Sequence, residues 1–403
     1  MKTLLATWGT EGDTRPVLAL AHGLQQAGHE VTVIADRAGQ RLADQLGVPL
    51  DPTPGDFQQL MAGDTSTGDM VRGSKPSHVI WPELVRDYAR PMADQLIGHL
   101  DDGTELFIGS AMVRIASQEI GPRSGIPTLG MDLQPFAATR EFPPPLLNMP
   151  TVPTWLNLPL YGAMDAAFLA IRKIALARMM PKSPAARRMA MPRIGAWSPT
   201  LVPRPREWSK DNPVVMGEFT VPRSDHQPDP ELQRFLDAGE PPVFVGLGSM
   251  AGVDMRRFRR TAVEALDGRR AIFSAGQNDF TDEQWPDTVM PIGHVPFDWL
   301  FPRCSVLVHH GGAGTAHLAA RSGRPSVVVP QIADQAFWAS QFHKLGIAAA
   351  PVNRDAVTAA ELRSAIEQAD RMLARAQQIQ AAMAGEDGVG TAVDWIEQWR
   401  ARQ

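Results

Sequence analysis

The residue types most suited to chemistry lie late in the chain. Ser305-Val-Leu-Val-His-His310 reads as an apolar strand, and Gly311-Gly-Ala-Gly-Thr315 follows it at once, leading into a helical stretch from Ala316 to Ser322. Such a turn is an anion site in physical terms. Glycines let a ligand approach the backbone closely, and the free N–H groups and dipole of a helix start favour a phosphate by roughly 0.3–2 kcal/mol. His310 and the Thr315 hydroxyl can each add a hydrogen bond. Tight strand-to-helix turns also use glycine for geometry alone, so the turn by itself leaves both readings open. It matches neither G-x-G-x-x-G nor the G-K-[ST] of a P-loop, which disfavours a nicotinamide enzyme or an NTPase. After the next strand, Ser326 to Pro330, comes Gln331-Ile-Ala-Asp-Gln335. Asp334 and Gln335 there offer acceptors and donors that can read the hydroxyls of a sugar. Helix capping by Asp334 is the structural alternative.

The elements that must position these groups form two series. Thr3 to Trp8 is strand-like, Gly9 to Arg15 a polar loop, Pro16 the opening of a helix ending near Gly28, and Glu30 to Ala35 a second strand. Helices near 39–46 and 82–99 and strands at Leu106 to Gly109 and Ile126 to Met131 continue the alternation. From Phe136 to about Pro205 the pattern changes to Pro, Met, Trp and Leu clusters and reads as an insertion, with one helical run at about 161–180. A Pro-rich linker from Val202 to Pro230 places a domain boundary near 215–225. A second series follows: Val243 to Gly248, Ala271 to Ala275, Val289 to Val295, Ser305 to His310 and Ser326 to Pro330. The expected architecture is α/β: two doubly wound parallel-sheet domains, 1–215 and 216–390, with a ligand crevice between them. A last helix, 391–403, carries Val393, Trp395, Ile396 and Trp399 on roughly one face and must dock, with the N-terminal domain as its expected seat.

Composition bounds the partners. The 403 residues include 44% hydrophobic and 21% charged residues, the balance of an ordinary globular chain with room for more than one core. A formal net charge of −5 supplies no field for polyanions, so nucleic acid is not expected as a partner. A single cysteine, Cys304, fits a reducing compartment, and neither a secretory h-region nor an 18-residue apolar run occurs, so a cytoplasmic setting is expected.

Taken together, His309-His-Gly-Gly-Ala-Gly-Thr315, Pro330-Gln-Ile-Ala-Asp-Gln-Ala-Phe-Trp338 and Gly9-Thr-Glu-Gly-Asp-Thr-Arg-Pro16 resemble the nucleotide-sugar-dependent glycosyltransferases with two Rossmann-like domains, the GT-B fold. The branch they resemble most contains sterol glucosyltransferases and bacterial antibiotic glycosyltransferases. Pro296-Phe-Asp-Trp-Leu-Phe-Pro-Arg-Cys304 and Thr139-Arg-Glu-Phe-Pro143 resemble the sterol-type members in particular. The resemblance covers nearly the whole chain. It implies that His310, Gly311, Gly312, Gly314 and Thr315 hold the donor diphosphate with help from Ser249, that Asp334 and Gln335 bind the transferred sugar, and that Val295 and its neighbours place the nucleobase. It implies a catalytic base at Asp13. Glu11, where relatives often carry a basic residue, is a departure that bears on acceptor contacts.

Sugar transfer from a nucleoside diphosphate needs charge stabilisation on the leaving group and a proton acceptor for the attacking hydroxyl. Asp13 suits the second task, and Glu11 in the same loop is expected to raise its proton affinity. Capping of the following helix is the other reading of Asp13. No two aspartates are separated by a single residue, so no D-x-D metal site is expected. A metal-independent, inverting, single displacement follows, with no cofactor beyond the nucleotide sugar, UDP-glucose being favoured over a dTDP sugar. The Phe136 to Leu158 stretch points to an apolar acceptor such as a sterol, polyketide or lipid, with Gly12, Met131, Phe136 and Trp155 as acceptor-side candidates; closure of a core is the alternative for the apolar residues. Between Ala166 and Arg206, nine basic residues (Arg172, Lys173, Arg178, Lys182, Arg187, Arg188, Arg193, Arg204 and Arg206) occur without a single Asp or Glu. This segment is either a solvated charged face or a peripheral contact with an anionic membrane. A sugar-nucleotide epimerase or hydrolase, or a silent sugar-nucleotide binder, would also need a diphosphate cradle between two α/β halves.

Overall fold

The computed structural model describes residues 1–55, 90–149, 152–179, 191–209, 213–222, 226–248, 255–274, 284–353 and 356–403. The first lobe contains β1 (Lys2–Ala6), α1 (Glu11–Gln26), β2 (Glu30–Ala35), α2 (Gln40–Leu46), β3 (Leu50–Pro52), α3 (Arg90–Asp101), β4 (Leu106–Ser110), α4 (Arg114–Arg123), β5 (Thr128–Asp132), α5 (Asn157–Met179), β6 (Arg193–Gly195) and β7 (Val214–Val215). The second contains α6 (Pro230–Asp237), β8 (Val243–Gly246), α7 (Met255–Leu266), β9 (Ala271–Ser274), β10 (Val289–Ile292), α8 (Phe297–Leu300), β11 (Leu307–His309), α9 (Ala313–Ser322), β12 (Ser326–Val328), α10 (Gln335–Leu345), α11 (Ala359–Asp370) and α12 (Leu373–Met383). The chain then returns to the first lobe as α13 (Gly388–Arg400).

Both sheets are parallel, ordered β3-β2-β1-β4-β5-β6-β7 and β10-β9-β8-β11-β12. Every residue of β4, β5 and β8 is buried, as expected when helices cover both faces of a parallel sheet. Strand order reverses between β1 and β4 in one sheet and between β8 and β11 in the other. At these switch points neighbouring loops diverge and leave a crevice beyond the carboxyl ends of the strands. In the first lobe the two strand ends are tied by Thr7 Oγ1 and Ser110 Oγ at 2.8 Å.

The terminal helix docks as its apolar face requires. Ala392, Val393 and Ile396 join the first lobe's core, and a Cβ on Gly23 of α1 would come within 2.3 Å of Val389, so α1 accepts the helix only with glycine there. Burial of Val393 and of Ile396 contributes roughly 1.5–3 kcal/mol each. The two strands of chain joining the lobes cross where Gly217 meets Gly388, since a Cβ on Gly388 would lie 2.3 Å from the Glu218 carbonyl oxygen. Arg321 of α9 fastens this crossing through the Glu218 carboxylate and the Met383 carbonyl.

Several sequence expectations need correction. The loop predicted over Gly9 to Arg15 is mostly helix: α1 begins at Glu11 and encloses Pro16, because Thr10 stands at its cap position and donates its N–H and hydroxyl to the Asp13 carboxylate. The segment read as an insertion contributes α5 and β6, and β6 pairs in parallel with β5. Three residues between prolines and basic side chains gave it no readable strand pattern. Likewise α9 begins at Ala313, which puts Gly314 and Thr315 in its first turn.

Candidate active site

Asp13 is set by the few residues after β1. Gly9 has φ +145°, and a Cβ there would fall 2.3 Å from Asp13 Oδ2, so glycine alone lets the carboxylate fold against the turn. Oδ2 accepts from Thr10 N at 2.9 Å and from Thr10 Oγ1 at 3.1 Å; Oδ1 takes part in neither bond. Burial pushes the Asp13 pKa up to about 6 against the opposing pull of the Thr10 hydrogen bonds. The expected partner, Glu11, is not the cause. It is exposed and faces Arg15 of its own helix at 3.6 Å.

The opposing wall comes from the second lobe. His309 closes β11 and accepts the Gly311 N–H on Nδ1 at 3.1 Å, which shapes the turn. The ring of His310 lies between two glycines: a Cβ on Gly312 would be 2.7 Å from its Nε2, and one on Gly248 3.1 Å from its Cε1. Burial lowers the His310 pKa to about 4, so near neutral pH it is an uncharged hydrogen-bonding group. Gly311 has φ +87° and packs against Val328 and the Gln335 carbonyl. Gly312 then occupies the cap position of α9 without a capping side chain, and a Cβ on Gly314 would meet nothing within 4 Å. The first-turn amides of α9, with the half-buried Thr315, therefore make a helix terminus suited to an anion.

Asp334 completes this wall. It follows Ala333, a non-glycine residue at φ +54°, and it precedes α10 without capping it. Its Oδ2 accepts from Trp338 Nε1 at 2.8 Å. Its pKa is pushed up to about 6, chiefly by burial and further by the negative charge of Asp13; the Trp338 bond and the Ala313 amide at the start of α9 pull the other way. The carboxylate that communicates with Asp13 thus comes from the other lobe. Gln335 is buried, and its Oε1 accepts from the Gln331 and Ile332 amides at 2.7 and 3.2 Å, so part of its hydrogen-bonding capacity goes to shaping the loop.

The remaining expected residues divide. Val295 lies in the loop after β10, partly buried against the second lobe's core. Ser249 lies outside the described residues. On the acceptor side, Gly12 is exposed in the first turn of α1 beside Asp13. Met131 belongs to β5 and to the first lobe's core, and Phe136 is also buried, so neither offers an open surface. Trp155 is the reverse, 73% exposed. Sequence reasoning missed a polar cluster at the ends of β5 and β6. Asp132 and Arg193 form a buried ion pair there, Arg114 is shifted down by burial and by Arg193, and the Tyr161 hydroxyl is buried with no hydrogen-bond partner among the described residues. The available signal was an aspartate closing an otherwise apolar strand.

A two-lobed α/β protein in which a helix start suited to an anion faces a half-buried carboxylate is the class this geometry defines, and the comparisons with known proteins give its family. Residues 262–389 match the family model described as erythromycin biosynthesis protein CIII-like, C-terminal domain. Over 99% of its length the chain is 31% identical to the O-mycaminosyltylonolide 6-deoxyallosyltransferase of Streptomyces fradiae, covering 97% of that protein. It is 28% identical over 98% of its length to a sterol 3-beta-glucosyltransferase of Arabidopsis thaliana, of which it spans 64%, and 30% identical over 87% to the vancomycin aglycone glucosyltransferase of Amycolatopsis orientalis, of which it spans 86%. Among solved structures, the kitacinnamycin glycotransferase superposes with a TM-score of 0.74 at 19% identity, covering 98% of both chains. The chain belongs to the GT-B glycosyltransferase family that includes these antibiotic and sterol enzymes.

Proposed function

We propose that this protein transfers a hexose, glucose being favoured, from a UDP- or dTDP-sugar to a hydroxyl of an apolar small-molecule acceptor such as a sterol, polyketide or lipid. The transfer is a single inverting displacement without a metal, and Asp13 is the general base. The observation that carries the reading is that α1, with Asp13 in its first turn, packs against α9 of the other lobe, beside whose start Asp334 lies.

In this reading the acceptor hydroxyl attacks the anomeric carbon while the bond from that carbon to the diphosphate oxygen breaks. The electron pair leaves with the diphosphate, and the hydroxyl proton passes to Asp13 Oδ1. Negative charge growing on the leaving group falls to the first-turn amides of α9, His310 and Thr315, donors fixed in place before the reaction begins. A D-x-D pair that would hold a metal for this purpose does not occur in the sequence. Asp334 and Gln335 orient the sugar, and Val295 flanks the base. A carboxylate with a pKa near 6 remains mostly ionised at neutral pH and takes a proton more readily than an ordinary aspartate, which suits a base contributing about 10²–10⁴-fold. The names of the relatives support a hexosyl donor and a hydroxylated natural-product or sterol acceptor, and the structural neighbour VinC is in complex with dTDP. Incubation with UDP- and dTDP-hexoses and a panel of hydroxylated apolar acceptors, read by mass spectrometry, tests the reading. A hexosyl adduct is expected; donor hydrolysis or epimerisation without any adduct would contradict it.

A further inference from the structure

The two groups that hold Asp334, the Trp338 indole and the Ala313 amide, stand on different helices, and one buried side chain touches both residues. His317 lies one turn into α9 and is buried. Its Nε2 accepts the Ser198 N–H at 3.1 Å. A backbone amide can only donate, so Nδ1 carries the ring proton and donates it to the Ala313 carbonyl at 2.7 Å. With both nitrogens engaged, the ring cannot turn. It meets the Trp338 indole edge to face, with centroids 4.8 Å apart and an interplanar angle of 69°. Trp338 is fully buried, and its Nε1 is the group that donates to Asp334 Oδ2.

The anchor of this ring is itself fixed. Ser198, in the segment after β6, is fully buried and donates its hydroxyl to Glu386 Oε1 at 2.9 Å. Thr200 of the same segment donates to that oxygen at 2.6 Å, and Arg321, which fastens the crossing between the lobes, lies 4.0 Å from the other carboxylate oxygen. An apolar ring would fill the space of His317 equally well. Only its two polar bonds fix a direction, as fully satisfied buried networks do. We propose that His317 is a positioning residue of the sugar site: it holds Trp338 and Ala313 together against Ser198 and so sets where the Asp334 carboxylate stands. This role rests on the reading of Asp334 as a ligand of the sugar. Loss of either hold on Asp334 leaves the other, whereas loss of His317 loosens both.

Calorimetry on the full chain, with UDP-glucose against UDP and dTDP-glucose against dTDP, tests this role. His317→Phe keeps a ring and drops both hydrogen bonds; nucleotide-sugar affinity should fall on the order of tenfold while nucleoside diphosphate affinity holds. Trp338→Phe removes one hold and should cost about threefold or less, and adding it to His317→Phe should cost nothing further. His317→Gln, which can still accept from Ser198, should recover most of the loss. Equal losses for the sugar-bearing and sugar-free ligands would overturn the proposal, because His317 would then only support the fold. Unaltered nucleotide-sugar affinity in His317→Phe would also overturn it, as would losses that simply multiply in the double variant. Asp334→Ala separates the two readings. A fall in nucleotide-sugar affinity there, with none in His317→Phe, sinks only the positioning role; no fall in Asp334→Ala removes the sugar role of Asp334 and the positioning role with it.

Discussion

Asp13 and Asp334 face one cleft from opposite lobes, and burial pushes both to a pKa of about 6, yet they are held in different ways. Asp334 is wired through several elements: the Trp338 indole on α10, the Ala313 amide on α9 and the left-handed Ala333 before it. Asp13 depends on one local motif, its own helix cap at Thr10 and the space left by Gly9. The wall that carries Asp334 therefore resists the loss of any single contact, as the donor role proposed for it requires. On the acceptor wall the carboxylate is placed by a single turn, which leaves the surrounding surface free to be apolar.

The sharpest way to break this contrast is Gly9→Ala. The new methyl group would overlap Asp13 Oδ2 at a positive φ, so the carboxylate must move, and turnover should fall on the order of 100-fold while nucleoside diphosphate affinity holds. Steady-state kinetics beside calorimetry would show it, and equal losses in both would mean that the turn supports both walls. A smaller effect is expected on the other side. His310→Ala removes one hydrogen bond to a charged ligand, about 1.5–3 kcal/mol, and should weaken nucleoside diphosphate binding roughly 10–100-fold. Unchanged affinity by calorimetry would remove His310 from the diphosphate site.

Acidity gives a third test. A base accepts a proton only when ionised, so with saturating donor the turnover should hold above pH 7 and fall as pH drops through about 6. Glu11→Gln should leave that midpoint where it is, because burial rather than Glu11 raises Asp13. A midpoint displaced by that substitution would restore the coupling expected between the two neighbours.

The donor wall was far more legible than the acceptor wall, for physical reasons. A glycine run between an apolar strand and a helix has few alternatives, so His310 to Thr315 and Asp334 announced themselves by type and spacing. The start of α1 did not, because Pro16 is a strong signal for a first turn and concealed the earlier cap at Thr10. The apolar character of Met131 and Phe136 suits an acceptor surface, but burial in a core satisfies it equally well. Only tertiary structure separates such residues from Trp155, left open to solvent. Nor could spacing along the chain reveal that the charge of Asp13 bears on Asp334, since the two are brought together only by the packing of one lobe against the other.

The central claim is that one lobe holds the diphosphate while Asp13, from the facing lobe, takes the proton. Asp13→Asn, assayed in parallel for hexosyl transfer and for nucleoside diphosphate binding, tests it most directly. Turnover is expected to fall about 10²–10⁴-fold, with nearly unchanged diphosphate affinity. Turnover close to that of the unsubstituted protein would contradict it.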